Sequence, residues 1–543
     1  MDFHRLDQLD LHEALRGQAR AMQRPEAHLK HLIASLHRLK NYSLTGGGLF
    51  LDFSHQRLDD RACELLFSLD TRLGLREHFA QMVHGAKINV TERRAALHTA
   101  ARSFDNDAIL VDGQDVMPDI RRVRDQIRHF SDQVHRGEIA GAGGKPFRHV
   151  VVIGIGGSYL GPEFVSTSLA ALADRGIELH YLANVDIDNF GAVADAIDPE
   201  TTLWVVISKS FTTAETSANT RQAEQFMRSR GLDPARHMVT VTAKGSPGDD
   251  PDRPMLQTFH MFDFIGGRYS VTSAVGGVPL SLYLGYDRFE AFLKGAAEMD
   301  RHALNAPVEK NLPLIAALIS VWNITYLGFQ QQAIIPYSSA LAKLAPHIQQ
   351  LNMESNGKAV DLRGEFLPQP AGVVIFGEPG TNAQHSFFQL AHQGRPFPID
   401  FIGVLKPHYA RYNSQSKGVS NHQELWANLL AQARALAVGA DNEDSARCFS
   451  GNRPSSILVL EDLSPENIGR LLSFYEARTA YEGFIWGINS FDQFGVELGK
   501  KVADTLRSQI AARNENPDFD FSDADPISKR YLEMLSKGMM NDE

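Results

Sequence analysis

The chain has 543 residues, 43% of them hydrophobic, a formal net charge of -11 and two cysteines. That length exceeds one hydrophobic core and implies about two to four domains, while the acidic balance argues against a nucleic-acid-binding surface. Cys63 and Cys448 are too few and too far apart for a disulfide framework or a structural zinc site, and the start, Met1-Asp2-Phe3-His4-Arg5, lacks the basic-then-apolar pattern of an export signal, so a reducing, cytoplasmic location is expected.

From the start to about residue 130 the pattern is helical with charged faces, interrupted by Gly46-Gly47-Gly48 and a short strand near Leu49-Phe50-Leu51. His28 and His31 share a helical turn, but Glu26 and Lys30 beside them mark a solvated face, and no metal is assigned. A glycine-rich loop, Gly137 to Lys145, leads into the apolar run Val150-Val151-Val152-Ile153 and then Gly154-Ile155-Gly156-Gly157-Ser158, with Pro162 expected at a first helical position. Tyr159 stands where a dinucleotide fingerprint needs its third glycine, and Asp186 lies too far downstream for the ribose acid, so a nicotinamide cofactor is not expected. Leu160 likewise breaks a nucleophile elbow, and no Gly-Lys pair has the glycine a P-loop requires upstream. What remains is a loop whose amides approach an anion at Gly157, with Ser158 as a hydroxyl donor.

The next run, Leu203-Trp204-Val205-Val206-Ile207, reads as a buried strand ending in Ser208-Lys209-Ser210-Phe211-Thr212-Thr213, with Thr212 and Glu215 at capping-box spacing for the helix that follows. Hydroxyls, a lysine and the positive end of a helix are suited to a phosphate, although the same residues also serve a simple cap. Strands near Val150, Leu179, Leu203 and Met238 to Thr242 alternate with helices up to about Gly277, the signature of a parallel doubly wound sheet. Helical character follows to about residue 360. It includes Leu312 to Phe329, whose Pro313, Ser320, Asn323 and Thr325 favour a core helix over a membrane span. A second alternating unit has strands at Val373 to Phe376, Phe401 to Leu405 and Ile457 to Leu460, so the architecture occurs twice; from about Ala511 the chain is a polar tail or arm with a short terminal helix.

Four further segments carry chemistry. Gly266-Gly267-Arg268-Tyr269-Ser270 lets a guanidinium sit close to backbone and ligand; Gln350 and Glu354 are one helical turn apart; Gly380 to His385 is a loop ending in histidine at an expected helix start; Gln493 and Lys500 are spaced for two turns of one helical face. Singly, each also fits a scaffold role. Together with a phosphate cradle they supply a base, a fixed cation and a histidine, the groups needed to open a sugar ring, abstract a proton alpha to a carbonyl and stabilise an enediolate.

From about Lys87 to Lys500 the chain resembles the glucose-6-phosphate isomerase (phosphoglucose isomerase) family. The resemblance is carried by the Gly266–Ser270 block, the Gly483–Lys500 block and the runs Met353 to Lys358, Gly377 to Asn382 and Gly451 to Pro454. It implies an α/β fold with two sugar-isomerase-type α/β/α sandwich domains of mainly parallel sheets, placed here at 131–280 and 281–510 between an N-terminal helical region at 1–130 and a C-terminal tail at 511–543. It further implies a cofactor-free aldose–ketose isomerase acting on glucose 6-phosphate and fructose 6-phosphate, in a homodimer with a shared active site and no membrane or nucleic-acid partner. By motif position, Gly157, Ser158, Ser208, Ser210 and Thr213, with Lys209 nearby, would hold the phosphate. Glu354 would carry the proton between C1 and C2 and Arg268 would stabilise the enediolate. His385, oriented by Glu215 and contributed across the dimer interface, would open the ring with help from Lys500, while Gln350 and Gln493 contact the sugar. Tyr159, where many members have aspartate, and Ser210, where threonine is commoner, are departures. A non-catalytic sugar-phosphate sensor, or an isomerase preferring another hexose phosphate, would share the same phosphate loops.

Overall fold

An uninterrupted apolar run such as Leu203–Ile207 is satisfied only by burial on both faces, and the computed structural model places it at the centre of a parallel sheet. The structure describes residues 5–253, 255–368 and 371–537, and the chain forms two compact units, Met1–Phe491 and Asp492–Glu543. In the first unit the strands of the principal sheets are, in chain order, β1 (Ser43–Gly46), β2 (Leu49–Asp52), β3 (His149–Ile153), β4 (Glu178–Leu182), β5 (Thr202–Ile207), β6 (Met238–Ala243), β7 (Gln257–Met261), β8 (Gln331–Pro336), β9 (Val374–Phe376), β10 (Ile399–Lys406) and β11 (Ser455–Asp462). Among the described residues they make two principal sheets. One is five-stranded and wholly parallel in the order β4-β3-β5-β6-β7; the other is six-stranded in the order β1-β2-β11-β10-β8-β9, with β8 to β11 parallel and the β1–β2 hairpin antiparallel.

The first sheet contains the four expected strands and one more. Val150, Val152, Leu203, Val205 and Ile207 face the main core, while Val151, Ile153, Trp204 and Val206 pack on the opposite face with Phe190, Val193 and Met227, the alternation that a pleated strand dictates. Sequence reasoning does not find β7, whose Gln257, Thr258 and His260 carry the polarity of an edge. Nor does it find β8, which lies inside the stretch read as helical. The glutamines following the core helix begin that strand. The short strand read near Leu49 is the inner half of the hairpin that extends the second sheet by pairing β2 with β11.

The core helix is α-helical and fully buried from Leu312 to Val321, with Asn311 capping it by accepting from the Leu314 amide, and then passes into a π-helical turn, Trp322–Tyr326. Another helix, Pro465–Trp486, is buried along nearly its whole length and crosses the helix Tyr286–Asn305. The crossing is close because glycine occupies both sides. A Cβ on Gly295 would lie 1.9 Å from the Glu466 carbonyl oxygen, and one on Gly469 2.0 Å from that of Phe292. The second unit contains the helices Glu497–Glu515 and Pro526–Lys537, with the Arg513 guanidinium over the Phe521 ring at 5.7 Å. Among the described residues no helix is long and apolar enough to cross a membrane.

Candidate active site

Parallel strands deliver their following loops to one edge, and the glycine turn, the hydroxyl cluster and Arg268 follow the carboxyl ends of β3, β5 and β7. After β3 the chain makes a single 3₁₀ turn, Gly156–Ser158. A Cβ on Gly157 would fall 2.2 Å from the carbonyl carbon of Gly267 and 2.6 Å from the Arg268 nitrogen, so only glycine lets the two turns touch. The second turn, Gly267–Tyr269, is tied down by Ser270, whose Oγ donates to the Gly267 carbonyl at 2.6 Å. Tyr159 leaves this loop to pack against Tyr181 at 5.6 Å, and burial together with the neighbouring Glu163 raises its phenol above the ordinary range. Pro162 is the third residue of the helix Leu160–Ser168 rather than the first.

Arg268 is buried and its guanidinium is fixed from two directions. Nε donates to Ser355 Oγ at 2.6 Å and Nη2 to the Ser490 carbonyl at 2.7 Å, which leaves Nη1 3.7 Å from Glu354 Oε2. Tyr269 shares the Ser355 hydroxyl at 3.0 Å, and the His98 ring stacks on Tyr269 at 4.6 Å. Burial, with Arg102 nearby, holds His98 well below the usual imidazole range, so the stack is neutral.

Glu354 ends a π-helical turn, Gln349–Glu354, that continues directly from the short helix Leu344–Ile348. π turns of this kind recur at functional sites, and here the side chains on either side of Glu354 anchor the turn. Asn352 Nδ2 and Asn356 Nδ2 both donate to Glu482 Oε2, at 2.6 and 3.0 Å. The other oxygen of Glu482 accepts from Arg478 Nε at 2.9 Å, and Arg478 continues to Asp400 at 2.6 Å and to Gln332 at 2.8 Å. The turn that ends in Glu354 is therefore seated on a buried, charge-compensated network centred on Arg478 and Glu482 of the helix Pro465–Trp486 rather than on a free loop. Gln350 lies against the glycine turn, its Nε2 3.1 Å from where a Gly156 Cβ would be.

At the end of β5 the hydroxyl cluster folds on itself. Ser208 Oγ accepts from the Phe211 amide at 3.1 Å, Ser210 Oγ accepts from the Thr212 amide at 3.3 Å, and the Ser210 and Thr212 hydroxyls are 2.8 Å apart. The expected capping box is not formed. The helix begins at Ala214, its N-cap is Thr213, and that side chain makes no capping bond, so the first-turn amides keep their donors. Lys209 Nζ donates to the carbonyls of Asp263 at 3.0 Å and Ile265 at 3.5 Å, in the loop that leads to Arg268, and burial lowers its pKa from the ordinary lysine value. Asp186, rejected above as a ribose ligand, caps the helix Ile187–Ala196.

The family model described as phosphoglucose isomerase matches residues 52–527. The chain belongs to the phosphoglucose isomerase family. A glucose-6-phosphate isomerase of Desulfosudis oleivorans is 61% identical over 543 residues, covering 99% of each chain, and the cytosolic glucose-6-phosphate isomerase of Spinacia oleracea is 45% identical over 538 residues, covering 94% of each. The crystal structure of a glucose-6-phosphate isomerase from Chlamydia trachomatis superposes with a TM-score of 0.89 at 37% identity, covering 98% of this chain and 99% of that one. The fold described above, two mainly parallel sheets sandwiched by helices, is that of the family.

Within the first unit the structure brings together Gly157, Arg268, Gln350 and Glu354, and it ties Lys209 to the loop before Arg268. His385 ends the 3₁₀ turn Asn382–His385, with its side chain exposed and the helix Phe388–Gln393 following; among the described residues no hydrogen bond or ion pair joins it to Glu215. Gln493 and Lys500 do not share a helical face. Gln493 is the non-helical residue ahead of the turn Phe494–Val496, and Lys500 lies in the first turn of Glu497–Glu515. Sequence reasoning misses Ser355, Ser490, Asn352, Asn356, Glu482 and His98. Ser355, Asn356 and Ser490 lie inside motif blocks quoted above, but nothing local distinguishes a residue that braces the site from its neighbours.

Proposed function

We propose that the chain interconverts glucose 6-phosphate and fructose 6-phosphate by ring opening and proton transfer through an enediolate. Glu354 takes the proton from one carbon and returns it to the other, and hydrogen moves between C1 and C2 of the same molecule, so the reaction is redox-neutral. Arg268 stands where negative charge develops on the enediolate oxygens. Its hydrogen bonds to Ser355 and Ser490 fix it before substrate arrives, the preorganisation from which a cation gains most in a water-poor site. Ser158, Ser208, Ser210, Thr213 and Lys209 receive the phosphate, with amides of the Gly157 turn and the open first turn of the helix after Thr213. Gln350, whose buried amide oxygen has no partner among the described residues, accepts from a sugar hydroxyl. Gln493 completes the sugar contacts.

The observation that carries this reading is the 3.7 Å approach of a partly exposed glutamate to a fully buried arginine, whose own turn touches the phosphate loop. His385 opens the ring, with Glu215 orienting it and Lys500 assisting. The exposure of His385 on its own chain supports its donation to a second subunit, and a homodimer in the cytoplasm is the assembly we infer. The experiment is a coupled assay of fructose 6-phosphate conversion. Wild-type protein turns over, and Glu354→Gln loses about 10²- to 10⁴-fold in kcat with little change in KM, the scale of a lost general base. A variant that keeps most of its turnover overturns the assignment.

A further inference from the structure

At the opposite end of β3 from the glycine turn, two imidazoles and a carboxylate meet on one face of the sheet. His149 opens β3; Glu178 is its direct partner on the edge strand β4, and His180, two residues on, points to the same face. His149 Nδ1 is 3.3 Å from His180 Nε2, and Glu178 Oε2 is 3.7 Å from the first and 3.8 Å from the second. The ligand atoms of all three lie within 4.8 Å of one another. The imidazole side chains are 16% and 18% exposed and are held in place by strand register, whereas the carboxylate is 72% exposed.

We propose that His149, His180 and Glu178 form a binding site for a divalent transition-metal cation of the zinc class. Two nitrogens bound at about 2.0–2.1 Å in a tetrahedral shell stand about 3.3 Å apart, which is the spacing already present, and the carboxylate closes the triad with a shift of about half an ångström. Two imidazoles in three ligands select zinc, cobalt, nickel or copper over magnesium and calcium. Without metal, one imidazole nitrogen must donate its proton to the other; a cation replaces that proton and uses both lone pairs. The exposed Glu178 provides the entry path, and the fourth position faces solvent. Four strand rises, about 13 Å, separate this triad from the end of β3, so the site clips the edge strand to its neighbour without touching the reacting groups.

Cobalt(II) titration of tag-free, full-length protein reads the site directly. The expected result is about one cobalt per chain, with the intense visible absorption of a tetrahedral ion, displaced by zinc. His149→Gln and His180→Gln should weaken binding at least about 100-fold, and Glu178→Gln, which changes an exposed carboxylate with no folding role, about tenfold. Zinc should raise the thermal midpoint of wild-type protein and not that of the histidine variants, with metal-free turnover equal in all four proteins. Absence of stoichiometric cobalt binding, or binding that survives in Glu178→Gln and in either histidine variant at wild-type strength, overturns the proposal.

Discussion

Arg268 illustrates how much depends on shape rather than charge. Three guanidinium nitrogens face three different groups, the Ser355 hydroxyl, the Ser490 carbonyl and the Glu354 carboxylate, and a lysine ammonium cannot reproduce that fork. Arg268→Lys keeps the positive charge yet is expected to lower kcat by about 10²-fold or more, with a thermal midpoint close to wild type. Steady-state kinetics beside a melting curve check this, and a kcat within threefold of wild type would show that charge alone suffices. At this scale the sequence singled out Arg268 and Glu354, which the structure brings to 3.7 Å of each other, and was silent about what holds them. Gly266-Gly267-Arg268 announces the close approach of two turns that the structure shows. The carbonyl that fixes the guanidinium comes from a residue 222 positions away, a tertiary pairing that no spacing rule encodes.

At the scale of elements, the helix that leads into the Glu354 turn carries a buried titratable group. His347 lies in Leu344–Ile348, stacked on Phe164 at 5.7 Å, with neither ring nitrogen hydrogen-bonded among the described residues. Burial lowers its pKa to about 4. The unfolded chain, with an ordinary histidine pKa near 6.5, therefore binds more protons than the folded one between about pH 6.5 and 4, so stability falls as pH falls through that window, by up to about 3 kcal/mol from this group alone. His347→Leu should flatten the decline of the thermal midpoint between pH 7 and 5; an unchanged slope would assign the acid sensitivity elsewhere. The elements themselves were legible in proportion to their burial. β3, β5, β10 and β11 are apolar runs in sheet interiors, whereas β7 is an edge and β8 starts with two glutamines, one of which, Gln332, is buried only because Arg478 and Asp400 meet it. The capping box failed because Ser210 and Thr212 bond locally instead, leaving helix amides open beyond the carboxyl end of β5.

For the whole molecule, the shared-site reading makes a quantitative demand. If His385 serves the partner's Glu354, then Glu354→Gln and His385→Ala chains, each inactive alone, form mixed dimers in which one of two sites has both wild-type groups. Random reassortment of equal amounts should therefore restore about a quarter of wild-type activity. Recovery of none after demonstrated subunit exchange would place His385 in its own subunit's site. The structure divides the groups between the sheets in the same way: the five-stranded sheet presents the Gly157 turn and the Ser208–Thr213 cluster, and the buried network of Glu482 and Arg478 seats the turn that ends in Glu354.

The most direct test of the proton shuttle is isotope wash-in, followed by NMR of fructose 6-phosphate and glucose 6-phosphate during turnover in deuterated water. A carboxylate that exchanges its proton with solvent predicts deuterium at the carbon it protonates in wild-type turnover, with turnover and label both slowed about 10²- to 10⁴-fold in Glu354→Gln. Deuterium incorporation by Glu354→Gln at a rate near wild type would contradict the account.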